Sequence, residues 1–219
     1  MKKIIFILCI CNVLGNTLFA AQGFQGIEIS TGVATSKYRT PGNEVFNSGV
    51  DQNYSTLESN DKKTGSKLGV SYGVGSKNFV TTFGVDYVKT SANMTNGISS
   101  GAYGPITQVL QNRYEAYVAP GYRLGYSTLA FIKIGVMDIP TKAPIDTSGV
   151  QTLSGGPNSV GLLYGAGITQ KLSPNSPYFL KLEYTGGQTK NAYTVDANLN
   201  QYLSKIMYGS ASASLGFSF

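Results

Sequence analysis

Ser210-Ala211-Ser212-Ala213-Ser214-Leu215-Gly216-Phe217-Ser218-Phe219, the last ten residues, alternate small polar and apolar side chains up to a final phenylalanine. Successive side chains of a strand point to opposite faces. Ala211, Ala213, Leu215, Phe217 and Phe219 therefore share one face, and Ser210, Ser212, Ser214, Gly216 and Ser218 the other. One face suits an apolar surround, the other a polar interior. Chain ends are normally frayed and polar, so an amphipathic strand carried to the last residue is expected to be docked against a neighbour.

The same period of two recurs upstream, predicting strands over Gly26 to Tyr38, Lys67 to Gly75, Phe79 to Thr90, Arg113 to Leu124, Thr128 to Met137, Val160 to Lys171, Tyr178 to Gly186, and Leu203 to Phe219. Most are near the roughly 9 to 11 residues that cross a bilayer on a tilted path. The connections alternate in length. Ser76-Lys77-Asn78, Gly125-Tyr126-Ser127 and Ser173-Pro174-Asn175-Ser176-Pro177 have the composition of tight turns. The other connections, 39–66, 91–112, 138–159 and 187–202, are long and rich in Gly, Asn, Ser, Thr and Asp. Pro41, Pro105, Pro140, Pro144 and Pro157 are expected to keep them from pairing regularly. In an antiparallel meander this alternation gathers the long loops at one end and the short turns at the other, the layout of a membrane-spanning barrel.

A soluble eight-stranded barrel has an apolar inside and a polar outside, so the sidedness of charge decides between the two. One face of each strand carries the large aliphatics and tyrosines: Ile27, Ile29 and Val33; Leu68, Val70 and Tyr72; Ile132, Ile134 and Val136; Leu180, Leu182 and Tyr184. The opposite face combines small residues with Glu28, Asp86, Glu115 and Glu183 and with Arg113, Arg123, Lys133 and Lys181. Buried charges in such numbers are tolerable only when paired, so these eight are expected to form a network filling the lumen. Lys37 and Lys89 fall on the apolar face but at loop-side ends, where a lysine snorkels into headgroups. Phe79, Tyr122, Tyr178, Phe217 and Phe219 gather toward the short turns, and Tyr87, Tyr114 and Tyr184 toward the long loops, predicting two aromatic girdles.

At the other end of the chain, Lys2 and Lys3 precede an apolar run from Ile4 to Leu14 and then Leu18-Phe19-Ala20-Ala21. Charge, length and small residues are those of a signal peptide over 1–21, leaving 22–219 as one barrel domain. Both cysteines, Cys9 and Cys11, lie in this leader, so the mature chain is expected to have no thiol and no disulfide. Removing Lys2 and Lys3 takes the basic residues from 17 to 15 against 11 acids and the formal charge from +6 to +4. That dispersed surplus gives no case for a nucleic-acid partner.

The leader, eight amphipathic strands, alternating loops and the ending Leu215-Gly216-Phe217-Ser218-Phe219 together resemble the outer membrane protein A and opacity-protein superfamily. The resemblance implies an all-β, eight-stranded antiparallel up-and-down transmembrane β-barrel in the bacterial cell outer membrane. It further implies insertion by the barrel assembly machinery, with Leu215, Phe217 and Phe219 as the assembly signal. No periplasmic peptidoglycan-binding domain is expected. Enzymes among small outer-membrane barrels resemble one another in using histidine as the base, because a group titrating near neutral pH activates serine or water. This chain contains no histidine.

The expectation is a non-enzymatic monomer without cofactor or metal, surrounded by outer-membrane lipid and lipopolysaccharide. Its four long loops would serve adhesion to a host or other surface ligand, or envelope integrity. The alternative is a narrow, porin-like channel for ions or small solutes lined by the lumen charges.

Overall fold

The computed structural model describes residues 24–40, 44–47, 50–52, 59–96, 106–146, 159–190, 192–195 and 201–219. The leader expected at 1–21 lies outside the described residues. The strands in chain order are β1 (Gly26–Thr40), β2 (Glu44–Asn47), β3 (Val50–Gln52), β4 (Ser59–Gly75), β5 (Phe79–Lys89), β6 (Ala92–Asn96), β7 (Ile106–Leu110), β8 (Arg113–Arg123), β9 (Thr128–Ile139), β10 (Thr141–Asp146), β11 (Ser159–Lys171), β12 (Tyr178–Thr189), β13 (Ala192–Val195), β14 (Gln201–Ser204) and β15 (Met207–Ser218).

Eight of these close a barrel in the order β1-β15-β12-β11-β9-β8-β5-β4, each antiparallel to its neighbours. The C-terminal segment is the seam. β15 pairs along β1 from Glu28–Ser218 to Arg39–Met207, and the Phe219 N–H donates to the Ile27 carbonyl at 2.8 Å. Closure removes the unpaired edge that lipid would leave unsatisfied. The three tight turns form as their composition predicts: Ser76 N–H donates to Phe79 O at 2.8 Å, Leu124 N–H to Thr128 O at 3.0 Å, and Ser176 N–H to Ser173 O at 3.0 Å. Pairing of β8 with β9 lapses at Ala119 and Pro120, where the proline has no N–H to give.

The outer wall is an apolar belt. Ile29, Val33, Leu68, Val70, Phe83, Val85, Ile132, Ile134, Leu182 and Leu215 are each about half exposed, an arrangement that lipid solvates and water does not. Aromatic neighbours pack within the belt's two rims. Phe79 lies 5.0 Å from Tyr122, Tyr178 5.3 Å from Phe217 and Phe217 4.8 Å from Phe219 at the short-turn end, and Tyr87 lies 5.3 Å from Tyr114 at the other. These edge-to-face and tilted pairs are the favoured aromatic geometries.

Two expectations need correction. The long connections are not wholly irregular: among the described residues, short strands within them pair across the molecule. β13, β14, β2 and β3 form one sheet, joining the first loop to the fourth, and β10, β7 and β6 form another, joining the second to the third. Proline is accommodated rather than excluded: Pro144 sits where the β10–β7 register shifts, and the Pro140 carbonyl accepts the Gln111 N–H at 2.8 Å. The second correction concerns strand length. β1 and β4 run for 15 and 17 residues, well past a bilayer crossing of about 9 to 11. The final strand expected from Leu203 is instead divided into β14 and β15, with Ile206 between them buried at the loop end of the lumen.

Candidate functional site

The lumen holds the polar chemistry of the molecule, and its walls alternate as the sequence predicts. Inward positions of β4, β5, β8, β9 and β12 bring Lys67, Asp86, Glu115, Lys133 and Glu183 together, all buried. Lys133 is the centre. Its Nζ donates to Asp86 Oδ2 at 2.6 Å, Glu115 Oε2 at 2.8 Å and Glu183 Oε1 at 3.2 Å. It also lies 3.9 Å from the centroid of the Tyr117 ring. An ammonium has three protons, and each is directed to a different carboxylate. Asp86 and Glu115 stand directly opposite each other on β5 and β8, a like-charge pairing that Lys133 makes tolerable.

Lys67 pairs with Glu183 and, at 3.0 Å, with Asp86. Toward the loops, Arg113 donates through Nε to Glu115 at 2.7 Å and through a terminal nitrogen to Ser36 at 3.0 Å and Tyr38 at 3.3 Å. Its guanidinium lies 4.3 Å from the Tyr208 ring centroid. Toward the short turns, Lys181 lies 4.0 Å from Glu183 Oε2 and donates to the Tyr117 hydroxyl at 3.5 Å. Six of the eight sequence-predicted lumen charges thus form one connected cluster. Glu28 sits apart, accepting from Ser71 at 3.2 Å. Arg123 is only partly buried near the short turns, 5.8 Å from the Phe24 ring centroid.

Two lumen lysines escape the sequence reading of the network. Lys67 has the inward parity of Gly69 and Ser71, but the strand expected to begin at Lys67 in fact begins at Ser59, so this lysine was hidden at an assumed end. Lys171 reaches Ser218 at 3.2 Å and lies 5.7 Å from the Phe24 ring centroid.

Asp86, Glu115 and Glu183 have ligand oxygens within 4.8 Å of one another, close enough to suggest a cation site. The donor set does not fit a metal, because the Lys133 ammonium already contacts all three carboxylates. The three carboxylates are held instead by four cations, Lys67, Arg113, Lys133 and Lys181.

Apolar layers flank the charges on both sides. Phe24, Val80 and Leu129 cluster at the short-turn end, and Leu110, Ile139, Leu163 and Ile206 are buried at the loop end. The sequence reading of a polar interior is therefore incomplete: salt bridges fill the middle, and buried apolar side chains lie toward both ends. Eight strands enclose a space that side chains just fill.

No protein-family model matches the sequence, and no curated protein matches it. Among solved structures it is similar to the outer membrane protein OprG from Pseudomonas aeruginosa, with 15% identity, 90% of this chain and 98% of that chain covered, and a TM-score of 0.59. It is similar to the outer membrane protein AlkL at 16% identity, 91% and 92% coverage and a TM-score of 0.56. Ail, the attachment invasion locus protein of Yersinia pestis, aligns at 17% identity over 89% of this chain and 99% of that one, with a TM-score of 0.50. Closed topology, apolar belt, aromatic rims and these likenesses converge: the chain has the fold of a bacterial outer-membrane β-barrel of eight strands.

Proposed function

We propose that the protein is a non-enzymatic, monomeric outer-membrane barrel that presents its loops for surface interaction, and that the lumen serves stability rather than transport. The observation that carries this reading is the pairing of the loops. β2, flanked by β3 on one edge, pairs on its other edge with β14 across roughly three quarters of the chain, Val45 opposite Tyr202, so the first and fourth loops are held as one sheet. The second and third are joined in the same way through Leu110 opposite Thr141. Binding concentrates on loops that a rigid scaffold positions, and here the scaffold continues beyond the bilayer through β1 and β4. Ail, similar in fold, is by name an attachment invasion protein.

Against catalysis stands the absence of histidine anywhere in the sequence, and Asp86, Glu115 and Glu183 are engaged with lysine and arginine. The leader over 1–21 directs export, and Leu215, Phe217 and Phe219 are read by the barrel assembly machinery.

The test is attachment of cells displaying the barrel to plates coated with basement-membrane proteins. A variant with residues 41–58 and 191–204 replaced by short Asn-Gly turns should attach less than one tenth as well, while its gel mobility still shifts on heating. Undiminished attachment by a folded, loop-shortened barrel would overturn the reading.

A further inference from the structure

On the outer wall at the loop end, the registers of β1, β4 and β5 assemble a cationic patch at the upper border of the apolar belt. Val33 faces Ser66, Thr35 faces Thr64 and Lys37 faces Lys62 across β1 and β4. On the next strand Lys89 faces Ser66. Moving outward from the membrane, the side chains pass from aliphatic Val33 and Leu68 to a pair of hydroxyls, Thr35 and Thr64, 2.9 Å apart, and then to the two lysines. Lys37, Lys62 and Lys89 are all exposed.

Like charges directly opposite each other on adjacent strands are destabilising, with Cβ atoms only about 5 Å apart. Among the described residues no carboxylate shares the outward face of β1, β4 or β5, because Glu28, Asp61 and Asp86 all have the inward parity. Asp61 pairs with Lys63, which has the same inward parity, at 3.7 Å.

We propose that this patch is a binding site for a phosphorylated outer-leaflet glycolipid. One phosphate sits between Lys37 and Lys62, the Thr35 and Thr64 hydroxyls lie beneath it, and the acyl chains lie along Val33, Leu68 and Val70. Lys89, level with Ser66 and Val33, stands about 13 Å from Lys62 back toward the belt, counted at the usual rise per residue, and on strands tilted by about 35–45° part of that distance is lateral, which suits a headgroup carrying two phosphates. Ammonium–phosphate hydrogen bonds are charge-assisted and strengthen where water is depleted. The site rests on the barrel lying in the outer membrane, and its lipid source is chosen by its continuity with the belt.

The experiment uses the refolded mature chain in detergent micelles, titrated with bis-phosphorylated lipid A and followed by native mass spectrometry. Lys37→Gln with Lys62→Gln should reduce lipid A retention at least tenfold, Lys89→Gln should reduce it severalfold and most for the bis-phosphorylated form, and Lys77→Gln at the opposite end should leave it unchanged. Without lipid A the double variant should withstand more urea than the wild type, since repulsion is relieved. With lipid A the order should reverse. Retention unaffected by the double substitution, an equal loss with Lys77→Gln, or full displacement by millimolar inorganic phosphate would each overturn the proposal. A heat-dependent gel shift in every variant shows that the barrel itself is intact, which separates failure of the site from failure of the fold.

Discussion

Replacing Lys133 with methionine is expected to lower the stability of the refolded barrel by about 3–5 kcal/mol, the range for removing one partner of a buried ion pair. Methionine keeps most of the volume of the stem and removes the charge. Asp86, Glu115 and Glu183 would then face one another with Lys67, Arg113 and Lys181 at the periphery, and the hydrogen bonds of 2.6, 2.8 and 3.2 Å would be lost. Urea unfolding followed by far-ultraviolet circular dichroism measures the loss. Adding Asp86→Asn and Glu115→Gln to the same chain should recover a large part of it, because the penalty lies in uncompensated charge and residues in one network are not additive. A cost below about 1 kcal/mol, the value of an exposed pair, would mean that water reaches the cluster.

The second large effect comes from a glycine. A Cβ at Gly84 would meet the Tyr117 hydroxyl oxygen at 2.5 Å, the Tyr117 Cζ at 2.6 Å and the Ser71 Cβ at 2.8 Å. Gly84 and Tyr117 are direct partners on β5 and β8, and the hydroxyl end of the tyrosine occupies the place where glycine has no side chain. That position sets the ring against Lys133 and Lys181. Gly84→Val should destabilise the barrel by about 1–3 kcal/mol through overpacking, and should displace the ring from the ammonium of Lys133. In a Tyr117→Ala background the same valine should cost less than half as much. Equal costs in both backgrounds would mean that the glycine serves the strand and not the ring.

The barrel was legible in the sequence because its determinants are local. Period-two alternation, tight-turn composition and the sidedness of charge repeat strand by strand, and they gave the eight strands, the closing role of the C-terminal segment and the inward direction of Asp86, Glu115, Lys133 and Glu183. The loop sheets were not legible. β2 and β3 are four and three residues long, and β14, the partner of β2, is over 150 residues away in sequence, so no local signal marks the pairing. Lys67 was missed because β4 extends past the bilayer crossing that the apolar pattern records. The apolar layers were legible only in part: Val80 and Leu163 have the inward parity of their strands, whereas Phe24, Ile206 and Leu110 lie outside or at the ends of strands, where alternation no longer tells which way a side chain points.

The central claim is that the lumen is a closed plug and that function lies on the outside of the barrel. Planar-bilayer recording of the refolded mature chain tests it most directly. The filled lumen, with Phe24, Val80 and Leu129 at one mouth and Leu110, Ile139, Leu163 and Ile206 at the other, predicts no steady conductance above the leak of the bare bilayer. A steady, ohmic conductance that changes when Lys133 or Lys181 is neutralised would contradict it and place the ion path through the network itself.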